Sequence, residues 1–100
     1  MEYKIERSEG RTALHLSGQL LESDRSAFEA LFPKLVEFGA SQIEIELSLL
    51  GYMDSIGLGL LVTLHGWAKR TGIPVVLKQP KGDVRELLIS ASIDRLMPII

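Results

Sequence analysis

The stretch Gln42-Ile43-Glu44-Ile45-Glu46-Leu47-Ser48-Leu49-Leu50-Gly51-Tyr52-Met53-Asp54-Ser55-Ile56-Gly57-Leu58-Gly59-Leu60-Leu61 changes its periodicity halfway along. As far as Leu50 it alternates, with Ile43, Ile45, Leu47 and Leu49 on one face and Glu44, Glu46 and Ser48 on the other, the pattern of a strand with one dry face. From Asp54 or Ser55 the spacing becomes helical and runs to Arg70, where Lys69, Arg70 and Gly72 suit a helix carboxyl end. Ile73 to Lys78 then forms a short buried strand centred on Val75-Val76-Leu77. Strand, helix, strand implies a right-handed parallel crossover. A parallel strand covered on both sides would be continuously apolar, so the helices are expected mainly on one face of the sheet.

Working outward, Tyr3, Ile5 and Arg7 share a strand face, Ser8-Glu9-Gly10-Arg11 reads as a turn, and Thr12, Leu14 and Leu16 alternate with Ala13, His15 and Ser17. This is an opening hairpin, ended by Gly18. Ser23 to Phe38 then takes helical spacing, with a stripe of Phe28, Leu31, Phe32, Leu35 and Phe38 and a capping-box pattern at Ser26 to Glu29. Pro33 inside that stripe is expected to remove a backbone bond and bend the helix, and Gly39 to stop it. Beyond the Gln79-Pro80-Lys81-Gly82 loop, Asp83 is a candidate cap for a third helix burying Val84, Leu87, Leu88 and Ala91. The tail from Ile93 to Ile100 fits a short helix followed by an edge strand.

With 100 residues there is room for one domain, residues 1–100, and not for two. An apolar share of 46% with 24% charged residues places the chain among globular proteins. Eleven basic against thirteen acidic residues, net charge -2, provide no field for phosphate backbones or anionic lipid, so neither nucleic acid nor membrane is an expected partner. The absence of Cys excludes disulfides, thiolate metal sites and cysteine nucleophiles. The amino terminus alternates charge with apolar groups and does not read as a signal peptide, and Ile56 to Leu64 is far shorter than the roughly 20 residues of a spanning helix. A cytoplasmic protein is expected.

The chemistry-bearing segment is Met53 to Leu61, which sets a carboxylate, a hydroxyl and two glycines where a strand becomes a helix. Loops at the carboxyl ends of parallel strands face the crevice where open α/β sheets act, and a helix start offers free amides and a positive dipole end. Asp54 or Ser55 also qualifies as a simple helix cap. Gly57 and Gly59 each cost roughly 1 kcal/mol against Ala in a helix, which points to something approaching the backbone closely.

These residues resemble the hallmark of the STAS domains, which include the bacterial anti-sigma factor antagonists. That hallmark is a strand, a Tyr or Phe, a hydrophobic residue, then Asp-Ser-(Ser/Thr)-Gly-Leu-Gly opening a long helix. Tyr52-Met53-Asp54-Ser55-Ile56-Gly57-Leu58-Gly59 matches it everywhere except at Ile56, and the order of elements agrees over nearly the whole chain. The resemblance implies an α/β fold with a mixed four- to five-stranded sheet and helices mainly on one face. It implies that Ser55 is the phosphorylation site. Partner contacts would come from Asp54, Ser55, Ile56, Gly57, Leu58 and Gly59, with Leu21 and Glu22 of the neighbouring loop. Family members often carry an acid directly after Gly-x-Leu, where this chain has Gly18-Gln19-Leu20-Leu21, with Glu22 and Asp24 slightly later.

The function so implied is a phosphorylation-switched binding module, not an enzyme, that needs no cofactor or metal and is a monomer when free. Its partners would be an anti-sigma factor serine kinase and a cognate phosphatase. The alternative is a constitutive STAS subunit of a larger assembly such as a lipid-transporting ABC complex, kept open by Ile56 and Leu21. Other chemistries fit poorly. Gly57-Leu58-Gly59 starts a dinucleotide fingerprint, but Val62 replaces its third glycine and no acid follows about 20 residues on. A nucleophile elbow would need glycine at Met53. His15 and His65 read as ordinary surface or half-buried residues, Trp67 as part of the core, and Lys69, Arg70, Lys78 and Lys81 as a solvated face.

Overall fold

A computed structural model describes residues 1–100, leaving aside the side chain of Phe38, so that last member of the helical stripe lies outside the described residues. Strands β1 (Glu2–Ser8), β2 (Arg11–Leu20), β3 (Gln42–Met53) and β4 (Val75–Lys78) form one sheet in the order β1-β2-β3-β4. The β1–β2 pair is antiparallel, and β2–β3 and β3–β4 are parallel, as the strand, helix, strand pattern requires. Helices α1 (Arg25–Glu29), α2 (Phe32–Leu35), α3 (Ser55–Arg70) and α4 (Gly82–Ser90) complete the fold. Their buried residues, among them Phe28, Leu60, Leu64, Val84 and Leu88, meet one face of the sheet, where Leu14, Leu16, Ile43, Ile45, Leu47 and Leu77 are buried too. The other face carries His15, Glu44, Glu46 and Lys78.

The hairpin forms as expected, with Ser8 opposite Arg11 across the two-residue turn Glu9-Gly10, both at positive φ. Several other expectations need correction. Gly18 does not end the second strand, which runs on to Leu20; Gly18 takes φ +81 inside the strand, at an irregularity in the pairing with β3. The helix expected over Ser23 to Phe38 is broken into a 3-10 turn at Glu22–Asp24, α1, α2 and a second 3-10 turn at Glu37–Gly39. Pro33 falls in the first turn of α2, where its missing N–H is not needed, and the chain breaks just before it. Capping also differs, since the Asp24 carboxylate accepts the Leu21 N–H at 2.9 Å and no capping box forms at Ser26. Asp83 lies within the first turn of α4, after Lys81 at the cap position, and Ala91 is exposed.

The tail turns at Ile93–Arg95 and then runs beside β4 without adding a fifth strand. Leu77 N–H donates to Pro98 O at 2.9 Å, Ile100 N–H to Leu77 O at 2.9 Å, and Gln79 N–H to Ile100 O at 2.7 Å. Trp67 packs on the core with its ring 5.6 Å from that of Phe32, in line with its core reading.

The third strand departs most from its sequence pattern. It spends twelve residues where β2 spends ten, and the difference sits in two one-residue bulges, facing His15–Ser17 and Gly18–Gln19. Each bulge turns the side chains over by one position. Ile43, Ile45 and Leu47 point into the core as expected, but Leu50 replaces Leu49 inside, and Leu49 is 73% exposed. The second bulge restores the phase, so Met53 is buried. Glu46 holds the first bulge open by accepting the Ser48 N–H at 3.0 Å.

Candidate functional site

The site lies where β3 ends and α3 begins. Asp54, in an extended conformation (φ -95, ψ -175), is the cap: its carboxylate accepts the Gly57 N–H at 2.8 Å, and its carbonyl accepts the Leu58 N–H at 3.0 Å. Between the two possible caps the structure thus selects Asp54 and frees Ser55 for another role. Ser55 is the first helical residue, it is exposed, and its hydroxyl has no hydrogen-bond partner among the described residues. The amides of Ser55 and Ile56 have no intrahelical acceptor, as at any helix start.

The two glycines of the motif differ. A Cβ on Gly57 would collide with the Leu20 carbonyl oxygen and stand 3.1 Å from the Leu20 carbonyl carbon and from Met53 Cβ. What approaches Gly57 closely is therefore the protein's own backbone, which locks the start of α3 onto the end of β2. Gly59 is exposed, with nothing within 4 Å of the position a Cβ would take.

The Gly57–Leu20 contact brings Leu21 and Glu22 alongside the motif. Leu21 is half-buried and Glu22 exposed, and their turn is fixed by Asp24, which accepts the Leu21 N–H and pairs with the amino terminus at 3.2 Å. Ile56 and Leu58 are half-buried, as is Asp54. The assembled surface thus has the Ser55 hydroxyl and bare Gly59 in the open, half-covered apolar side chains between them, and Glu22 at the edge. Sequence reasoning missed two members of the same end of the domain, Leu49 and Tyr52, the latter 46% exposed. The signal was present: adjacent leucines followed by Gly51 break strict alternation, and a glycine within a strand often marks a bulge.

Nothing in this arrangement activates Ser55 as a nucleophile. His65 lies ten residues further along α3, about 15 Å away. His15 is on the open sheet face, 3.2 Å from Glu6. What the site can do is present an unhindered hydroxyl at a helix start, in a surface of mixed apolar and acidic character.

The family model described as "Mlab, STAS domain" matches residues 4–98. No curated protein matches the sequence. Among solved structures, the chain is similar to a Thermotoga maritima protein proposed to be an anti-sigma factor antagonist, at TM-score 0.86 and 21% identity over 97% of this chain and 84% of that one. It is similar to an anti-sigma factor antagonist of Mycobacterium paratuberculosis at TM-score 0.79 and 23% identity, covering 98% and 83% of the two chains. It is also similar to the Bacillus cell fate determinant SpoIIAA in its phosphorylated form, at TM-score 0.67 and 19% identity, covering 99% and 91%. Identities this low speak for a shared fold. No helix among the described residues is long and apolar enough to cross a membrane.

Proposed function

The chain belongs to the STAS domain family, and from that premise we propose that it is an anti-sigma factor antagonist switched by phosphorylation of Ser55. Unphosphorylated, the surface formed by Asp54, Ser55, Ile56, Leu58 and Gly59 with Leu21 and Glu22 docks onto an anti-sigma factor that is itself a serine kinase. Docking frees a sigma factor to bind RNA polymerase. The kinase phosphorylates Ser55 and ends the docking, and a cognate phosphatase restores it. The protein acts in the cytoplasm as a binding module without catalysis or cofactor.

The observation that carries this reading is the exposed, unpartnered Ser55 hydroxyl at the first position of a helix whose cap is supplied by the preceding residue. Phosphate there adds about 1.5 to 2 negative charges at the positive end of the helix dipole, which the folded domain tolerates. A partner that desolvates the phosphate without a matching cation does not tolerate it. An unpaired buried charge costs about 2 to 5 kcal/mol, so affinity falls by roughly 30-fold to several thousandfold. A fold shared with anti-sigma factor antagonists, and with a protein solved in a phosphorylated form, supports the same reading.

The test is capture of partners from the source organism on the immobilised chain, with identification by mass spectrometry. An ATP-binding serine kinase is expected. With that kinase purified and ATP added, the wild type gains one phosphate, and Ser55→Ala gains none yet still binds. Capture of an ABC permease or ATPase in place of a kinase, or phosphorylation that persists in Ser55→Ala, overturns the proposal.

A further inference from the structure

The two bulges of β3 turn Leu49 outward, beside Tyr52, which faces outward in either register, and neither side chain belongs to the hydrophobic core or packs against it. In the register with β2, Glu46 pairs with His15, Leu49 with Ser17 and Tyr52 with Gln19, so the three form one stripe along the open sheet face. The stripe leads directly to Asp54 and Ser55. Leu49 and Tyr3 border a shallow groove of about 360 Å³ whose other walls include Glu2, Lys4, Glu6 and His15. Within it Lys4 and His15 both pair with Glu6, at 3.5 and 3.2 Å. Glu2, and Glu46 beyond the groove, have no cationic partner among the described residues.

The lysines on this face are already paired: Lys4 with Glu6, and Lys78, which stands opposite Glu46 in the register with β4, with Glu44. Residues 46–61 and 16–24 contain Glu46, Asp54, Glu22 and Asp24 but no Lys or Arg, in a chain that has eleven. Leu49 and Tyr52 are thus solvent-facing apolar groups on a face whose lysines are paired and whose carboxylates Glu2 and Glu46 are not. The chemistry that complements them is an apolar side chain with a Lys or Arg beside it.

We propose that the partner docked at Ser55 also occupies this groove, through a segment that places an apolar side chain against Leu49 and Tyr52 and a basic one toward Glu46 and Glu2. This rests on the docking role proposed for Ser55 and names a second contact of the same partner. From Leu49 to Ser55 is six residues, at most roughly 20 Å of chain, within the span of an ordinary interface of about 800 Å² a side. The basic group lies at the far end of the stripe from Ser55, so a phosphate on Ser55 gains nothing from it.

The test uses the serine kinase captured by the wild-type chain, purified, with affinity measured by calorimetric titration at low and high salt. Leu49→Ser is expected to bind at least 10-fold more weakly with unchanged melting, because the side chain it removes lies in water in the free domain. Glu46→Gln keeps the oxygen that accepts the Ser48 amide and removes only the charge, so it should weaken binding severalfold at low salt and flatten the salt dependence. If phosphorylation of Ser55 abolishes binding while both variants bind as the wild type does, the second contact is refuted and the role of Ser55 stands. If the wild type captures no kinase, both fall together. A concentration-dependent dimer in sedimentation that Leu49→Ser converts to monomer would assign the groove to a second copy of this chain and overturn the proposal.

Discussion

Replacing each motif glycine by alanine in turn separates the two close approaches that the sequence suggests. At Gly57 the added methyl meets the Leu20 carbonyl, with Met53 Cβ 3.1 Å away. Both obstacles belong to strands, and the Leu20 carbonyl cannot withdraw without moving the end of β2. Overpacking of this kind costs about 1 to 3 kcal/mol, and contact with backbone belongs at the upper end. Alanine's helix preference offsets at most about 1 kcal/mol of this. A net loss of about 2 kcal/mol follows, and in a domain of this size each kcal/mol shifts the melting temperature by about 4 to 8 °C, so Gly57→Ala should melt about 8 to 16 °C lower. At Gly59 the methyl enters open space on a helical backbone, and the variant should gain about 0.5 to 1 kcal/mol and melt about 2 to 8 °C higher. Thermal unfolding followed by circular dichroism measures both on one instrument. A Gly57→Ala protein as stable as the wild type would refute the claim that helix and strand touch there. Loss of stability in Gly59→Ala would refute the openness of that position.

Three further outcomes follow from the same site. Asp54→Ala deletes the acceptor of the Gly57 N–H and should cost about 1 kcal/mol, or about 4 to 8 °C of melting temperature, with Asp54→Asn recovering most of it. Gly59→Arg should fold normally yet bind the kinase at least 10-fold more weakly in calorimetric titration, because a long side chain then stands in the docking surface; unchanged affinity in the folded variant would move the interface elsewhere. Phosphorylation of Ser55 should shift amide resonances mainly from Tyr52 to Leu61 and from Leu20 to Asp24, with a melting temperature that holds or rises slightly, whereas shifts through Asp83 to Ser90 with lowered melting would indicate refolding instead of local charge.

What could be read in the sequence depended on whether the deciding interaction was local. The ends of α3 were legible because the determinants of each lie within four residues: Asp54 caps and Ser55 begins one end, and Lys69, Arg70 and Gly72 close the other. The first helical stretch was not, because the pattern of Phe28, Leu31, Phe32 and Leu35 reports which side chains are buried and not whether the backbone between them is continuous; Pro33 decided the break, and its exact place was set by packing of short segments onto α3 and β2. The role of Gly57 was legible only in part. Its cost in a helix announces a close approach, but that the approaching atom is the Leu20 carbonyl, thirty-seven residues earlier, depends on the parallel pairing of β2 with β3. The acceptor surface around Ser55 inherits that dependence, since Leu21 and Glu22 reach it only through this contact.

The bulged strand shows why hydrophobic alternation is a weak guide to the surface beside the site. A regular β3 would bury Leu49 and expose Leu50; the bulged strand buries Leu50 and exposes Leu49. One leucine is exchanged for another, so the apolar area removed from water is nearly the same and burial does not choose between the registers. The choice falls to smaller local features. Glu46 accepts the Ser48 amide that the first bulge takes out of the ladder, and Gly18 adopts a positive φ opposite Leu50, next to the second. Because the two bulges add one residue each, their phase changes cancel, and Met53 enters the core as it would in a regular strand. The start of α3 and the outward face of Tyr52 are therefore the same in either register, and what the bulges alter is which leucine, Leu49 or Leu50, is shown to water. Such irregularities in the pairing bring no gain in core packing here, which is the physical ground for the binding role proposed for Leu49.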